Sequence, residues 1–236
     1  LRDSNPLYSA LWRIFVYPFG NSENGWIKHP LGNTNEKVTL RSIIKVFNAK
    51  ANHRKVIIAD AGQEMHTIIT SGNPHDASSR HSNVALLVKE DIWRPIYDSE
   101  RSVSKFSGTE IKDIDFEFVK KSEPEGDLQV QLLTEGKIRD NLIKDIDLTI
   151  KGESIDIAMF YLSDRKIISS LLDASNRGVE IKLVLDPNKD AFAREKNGVP
   201  NRPVAHELIK KSKGEIKIRW YKTEGEQFHT KMIVIN

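Results

Sequence analysis

The chain has no cysteine. That excludes disulfides and thiolate metal sites and leaves the redox compartment open. It also has little excess charge: 36 basic and 33 acidic residues leave a net +3. Such a balance argues against a broad nucleic-acid-binding surface while permitting a local basic cleft. No apolar run approaches the ~18 residues that a membrane span needs. What remains is ordinary for a globular protein: 236 residues, 39% hydrophobic and 29% charged. That length can bury a sizeable core, as one large domain or two units.

Two segments carry the chemistry. The first is Asn52-His53-Arg54-Lys55-Val56-Ile57-Ile58-Ala59-Asp60, where His and Lys lead an apolar, β-branched run. The run reads as a buried strand, and alternation would put His53 and Lys55 on one face. The arrangement returns as His229-Thr230-Lys231-Met232-Ile233-Val234-Ile235-Asn236. An imidazole that can attack or protonate thus sits beside a fixed ammonium that can hold an anion. Two such pairs suggest phosphodiester chemistry with no metal or other cofactor. The ammonium groups offset charge that builds on phosphoryl oxygens, and one imidazole attacks phosphorus while the other transfers protons. A zinc site built on the two histidines is disfavoured by the flanking lysines and by the lack of a completing donor set.

His53-x-Lys55-x4-Asp60 resembles the full H-x-K-x4-D signature of the phospholipase D superfamily. The second copy matches at His229 and Lys231 but has Asn236 in place of Asp. Ser71-Gly72-Asn73 is similar to the small-residue-plus-Asn element that follows the motif in that family. Asn83 stands where family members often place the carboxylate that orients the catalytic imidazole. The resemblance implies two units packed about a pseudo-twofold axis, with both motifs in one cleft. By that analogy His53 is the nucleophile and His229 the general acid/base. Lys55, Lys231 and Asn73 would hold the phosphoryl oxygens, with Asp60, Ser71 and Asn236 in supporting roles. The other histidines, His29, His66, His75, His81 and His206, read as surface or loop residues.

An internal repeat organises the rest. Asp3-Ser4-Asn5-Pro6 parallels Asp186-Pro187-Asn188, and the motif histidines lie 176 residues apart. Pro6 to Phe19 has roughly helical spacing, and Gly20 to Asn35 reads as a surface loop in which Trp26 and Ile27 pack down or line an apolar groove. Strands are expected at 40–47, 67–70 and 84–88, the last buried, with a polar loop holding His75, Asp76, Arg80 and His81. Residues 89–127 read as a connection with local structure near 111–119. Downstream, strands are expected at 128–133, 155–161, 179–185, 216–221 and 228–235. Helices are expected at 137–150, with Ile138, Leu142, Ile146 and Ile150 on one face, from Ser163 or Asp164 to Arg177, and at 203–213.

The expected fold is therefore α/β: two related units, each a mixed, largely parallel sheet flanked by helices. The units would span 1–89 and 128–236, joined by 90–127. Each is expected to be incomplete, the first at its N-terminal end and the second at its C-terminal end. The leading expectation is a phosphodiesterase or phosphatidyltransferase acting on a phospholipid through a phosphohistidine, bacterial and at a membrane surface, with no obligate protein partner. The alternatives are a nuclease with the same site, and an inactive member that binds anionic headgroups.

Overall fold

The computed structural model describes residues 14, 25–28, 37–40, 43, 53–62, 64–89, 91–106, 109–111, 127–191, 194, 195 and 197–236. The Asp3 loop, the helical spacing of 6–19 apart from Ile14, and the expected local structure at 112–119 lie outside them. The chain divides into two compact units, residues 1–54 and 55–236.

In the first unit, β1 (Ile27–Lys28), inside what reads as a loop, pairs antiparallel with β2 (Lys37–Val38) just beyond it. Gly25 is required there, because a Cβ would run into the backbone of Lys37 and Val38. Trp26 does not pack down; it is 67% exposed. The strand expected at 40–47 is not formed at its start, because Leu40 and Ile43 are helical and the Ile43 amide donates to the Thr39 carbonyl at 3.1 Å.

Among the described residues the larger unit contains two main sheets and a short two-stranded ladder. The first is an antiparallel meander of β3 (Val56–Ala61), β4 (Glu64–Thr70) and β5 (Ala85–Val88). The first motif's strand is formed but is not buried: Ile57 is 56% exposed. Likewise Leu86 and Leu87 face outward and only Val88 of β5 is buried. A three-stranded meander has few neighbours to cover both faces, so an apolar strand need not be an interior one. The polar loop at 75–81 contains a single helical turn, α1 (Asp76–Ser79), capped by the His75 ring, which accepts from the Ser78 amide. Beyond β5 the expected connection contains α2 (Trp93–Phe106), whose Trp93 packs with Met65, Ile58 and Tyr97 against the meander.

The second sheet has the order β10-β7-β6-β11, with β6 (Ser154–Met159), β7 (Glu180–Leu185), β10 (Lys217–Trp220) and β11 (Lys231–Ile235). β6, β7 and β10 run parallel, and β11 closes the edge antiparallel to β6. β7 alternates exposed and buried along its whole length, the period-2 signature of a one-sided sheet. Its inner face, with Ile155, Ile157, Ile181, Leu183 and Leu185, packs on α3 (Gly136–Leu148), α4 (Arg165–Asn176) and α5 (Asn201–Lys211). Each fully buried Leu or Ile there contributes about 1.5–3 kcal/mol relative to exposure. A short ladder of β8 (Asp190–Ala191) and β9 (Arg194–Glu195) follows β7.

Asp164 caps α4 by accepting from the Lys166 and Ile167 amides. Gly178 follows the helix with φ +88°, the left-handed conformation an L side chain resists. The α3 face is narrower than its four-residue repeat suggests: Ile146 is fully buried, whereas Ile138 and Ile150 are more than half exposed. Residues 128–133 form no strand, and Leu128 is 96% exposed. Their alternation has no partner strand among the described residues, and a ladder cannot form alone. The architecture is mixed α/β, as expected.

Candidate active site

The second motif's loop is set by a buried polar network at the carboxyl ends of β6 and β7. Asp186 is 1% exposed. One of its oxygens accepts from the Asn188 amide (2.6 Å) and the Asn188 side chain (2.9 Å); the other accepts from the Phe228 amide (2.7 Å). Asn201, fully buried, donates to the carbonyls of Phe160 (2.7 Å) and Asp186 (2.9 Å) and accepts from the Leu162 amide (2.9 Å). Buried polar groups must find partners. Here the partners tie three chain turns together and fix Phe228, the residue before His229.

His229 is 7% exposed and precedes β11 rather than lying within it. Its ring packs edge-on against Phe160, with centroids 5.0 Å apart. The Lys231 ammonium lies 5.4 Å from the same ring and donates to the His229 carbonyl at 2.9 Å. His229 and Lys231 therefore share one aromatic floor.

The other wall of the site comes from the loop before β5. The Asn83 side-chain oxygen lies 3.3 Å from His229 Nδ1. That orientation of the amide is fixed by its own donors, which reach the Ser78 carbonyl at 2.8 Å and the His81 carbonyl at 3.1 Å. With oxygen facing the ring, Nδ1 must carry the proton and Nε2 the lone pair. The Ser71 hydroxyl also donates to this oxygen (3.2 Å) and itself accepts from the Val84 amide (3.0 Å). Asn83 thus stands beside the imidazole of the second motif, and Ser71 supports Asn83.

Three further contacts close the loops on each other. The Gln227 amide donates to His81 Nδ1 (3.1 Å), the Ser82 amide to the Gln227 carbonyl (2.9 Å), and the Thr230 hydroxyl to the Ser82 carbonyl (3.2 Å). His81 is consequently no ordinary loop residue; its ring lies 6.1 Å from that of His229. Nothing in the local sequence marks it, because the contact spans 146 residues.

Burial lowers the pKa of His229 to about 4, and the Lys231 charge adds to the effect; the Ser71 backbone opposes it, while His81 and Lys55 lower it further. Burial likewise lowers Lys231 to about 8, with Lys55 as the second cause. Lys55 is lowered by burial too. The Lys55 charge therefore reaches the second motif's site, where it makes both Lys231 and the His229 imidazolium easier to deprotonate. Burial lowers His81 as well, then His75; Asp186 and Glu226 oppose, and Lys231 adds slightly.

The remaining residues of interest sit as follows. His53 is exposed, in the chain before β3. Asp60 is exposed near the end of β3, opposite Met65. Asn73 is half-buried, its amide donating to the Ser78 hydroxyl at 2.9 Å. Asn236 closes the β11–β6 ladder by two backbone bonds to Ser154, of 2.8 and 3.0 Å. Among the described residues no group of three or more His, Asp or Glu stands at metal-binding spacing.

Residues 142–236 match the family described as "Cardiolipin synthase, PLD-like domain". Among curated proteins nothing matches. Two solved structures show weak likeness. One is a phospholipase D family member, Nuc from Salmonella typhimurium, at 23% identity and TM-score 0.33, covering 43% of this chain and 59% of that one. The other is polyphosphate kinase from Porphyromonas gingivalis, at 21% identity and TM-score 0.44, covering 78% of this chain and 26% of that one.

Proposed function

Residues 142–236 match a cardiolipin synthase-type PLD-like domain, and from that likeness we propose that the chain is a phospholipase D superfamily member that transfers a phosphatidyl group between alcohols or to water. The observation that carries this reading is His229: buried, neutral at physiological pH, its Nδ1 held by Asn83, and flanked by the ammonium groups of Lys231 and Lys55.

A neutral imidazole is the form that attacks phosphorus. The geometry of His229 therefore favours it as nucleophile, the reverse of the expectation from family analogy, and the sequence repeat alone nominates His53 as the acid. His229 Nε2 forms a bond to phosphorus as the bond to the leaving alcohol oxygen breaks. His53 gives that oxygen a proton. In the second half, water or another alcohol attacks, the P–N bond breaks, and His53 takes the proton from the attacking oxygen. Lys231 and Lys55 stabilise the charge on the phosphoryl oxygens throughout. The assignment of His53 rests on the sequence repeat, and so does the pairing of two related units about a pseudo-twofold axis. Phospholipid is the preferred substrate because the matched family description names a cardiolipin synthase.

The test is incubation with labelled phosphatidylglycerol, phosphatidylcholine and single-stranded DNA, with chelator present. Headgroup release or phosphatidyl transfer by the wild type, abolished in His229→Ala and His53→Ala, is the expected result. Cleavage of DNA alone would replace the lipid reading with a nuclease. Activity retained in His229→Ala would overturn the mechanism.

A further inference from the structure

Past the carboxyl ends of the parallel strands β7 and β10 lies a cavity of about 400 Å³, within the range of small-ligand sites. Its lining includes Pro187, Lys189, Arg202, Trp220, Tyr221 and Lys222, and no carboxylate. Ligands of open α/β sheets bind in this position relative to the strands. The aromatic side joins it to the histidine site. Tyr221 stacks on Phe228 with centroids 4.4 Å apart and planes 7° from parallel, and its hydroxyl pairs with that of Ser82 at 2.9 Å. Phe228 immediately precedes His229. One aromatic pair thus separates the two sites.

The charge in the cavity is hardly compensated. Lys222 pairs with Glu224 at 3.1 Å, but both side chains are at least three-quarters exposed, where an ion pair contributes little. No carboxylate of the described residues pairs with Lys189 or Arg202. Arg202 is seated on Gly198, which has φ +81°, and a Cβ there would occupy the space of the Arg202 side chain. A guanidinium so placed is suited to a phosphate, which presents several acceptor oxygens and up to two charges. A quaternary ammonium would be repelled despite the aromatic wall.

We propose that this cavity is a second anion subsite, holding a phosphomonoester carried by the alcohol partner of the reaction, that is, a phosphorylated headgroup or acceptor. Its role rests on the phosphatidyl-transfer reading, whereas its occupancy is measurable without turnover.

The experiment has a binding arm and a turnover arm, both on the full chain. Glycerol 3-phosphate is titrated calorimetrically into wild type, His229→Ala, the double variant Lys189→Ala/Arg202→Ala, and a control, Lys210→Ala/Lys213→Ala, with thermal melts confirming that each folds. Saturable binding to wild type, His229→Ala and the control, weakened at least tenfold in Lys189→Ala/Arg202→Ala, is expected. Equal affinity in that double variant, or an equal loss in the control, overturns the subsite. In the second arm, glycerol and glycerol 3-phosphate compete as acceptors from phosphatidylglycerol vesicles. Wild type is expected to prefer the phosphorylated acceptor at least tenfold in kcat/KM. The double variant should lose that preference, while the control Lys210→Ala/Lys213→Ala keeps both the preference and hydrolysis in water. Transfer without preference in wild type overturns the subsite's role. Binding as expected with no diester turnover supports the subsite and sinks the phosphatidyl-transfer reading instead.

Discussion

On the proposed mechanism the attacking side chain must keep its lone pair, and the groups around His229 keep its ring neutral at a cost in acid stability. With its folded pKa near 4, below the ordinary imidazole value of about 6.5, the ring is neutral in the folded chain while already charged in the unfolded one. The unfolded state then binds more protons, so stability falls as pH drops from about 6.5 through 4. The acid limb of the pH–activity profile should be set by His229, near 4, and on the alkaline side Lys231 loses its charge near 8. Asn83→Asp places a carboxylate against Nδ1 and favours the charged ring. The acid limb of the pH–rate profile should move up by about 1–3 units. An unmoved limb would mean that Asn83 does not face the titrating ring. His81 gives a second test. Its Nδ1 accepts the Gln227 amide, and an Asn side-chain oxygen falls at the same position. His81→Asn should therefore keep kcat close to wild type, whereas His81→Ala should lower it by about tenfold, roughly 1.4 kcal/mol of barrier. Equal losses in both variants would show that the ring acts other than through this hydrogen bond.

At the scale of elements, the site is built on loops held by strands rather than on the strands themselves. His229 and Thr230 precede β11, and Asp186 and Asn188 follow β7. Removing the Asp186 carboxylate leaves three N–H groups without their acceptor, two of them from Asn188 and one from Phe228. Asp186→Ala should destabilise the chain by about 2–4 kcal/mol, read by urea unfolding. A change below about 1 kcal/mol would mean that water replaces the carboxylate. The helices α3 to α5 are legible from spacing, caps and following glycines. α2 is harder to see: Trp93, Ile96 and Tyr97 share a face, but Pro95 and the dense charge around them suggest a break. Proline is tolerated in a first helical turn, whose amides have no partner inside the helix. Burial of Trp93 against Met65 then outweighs the polar setting.

At the scale of the larger unit, the buried core is unevenly distributed. One cluster joins β6, β7 and the helices α3 to α5, while Met65 of the meander and Trp93 of α2 form a small satellite among the described residues. Slow hydrogen exchange requires burial and cooperative packing. Amides of Ile155–Met159 and Ile181–Leu185 should exchange at least a hundredfold more slowly than those of Ile57–Asp60. Comparable rates would show that the two sheets unfold as one cooperative body.

The two His-x-Lys segments, the lysine at each, the parallel strands and their helices are written locally, in spacing and in residue type, and the sequence by itself determined them. Which strands are interior was not written there. Val56–Ala61 and Ala85–Val88 are as apolar as β7, but burial depends on what covers a face, and only tertiary packing supplies the cover. The same holds for His229. Its motif names the residue, while its protonation state comes from Asn83, Phe160, Lys55 and His81, brought together across 69 to 174 positions of chain. A side chain's pKa depends on charge and burial within a few ångströms, and no local pattern encodes contacts at that separation.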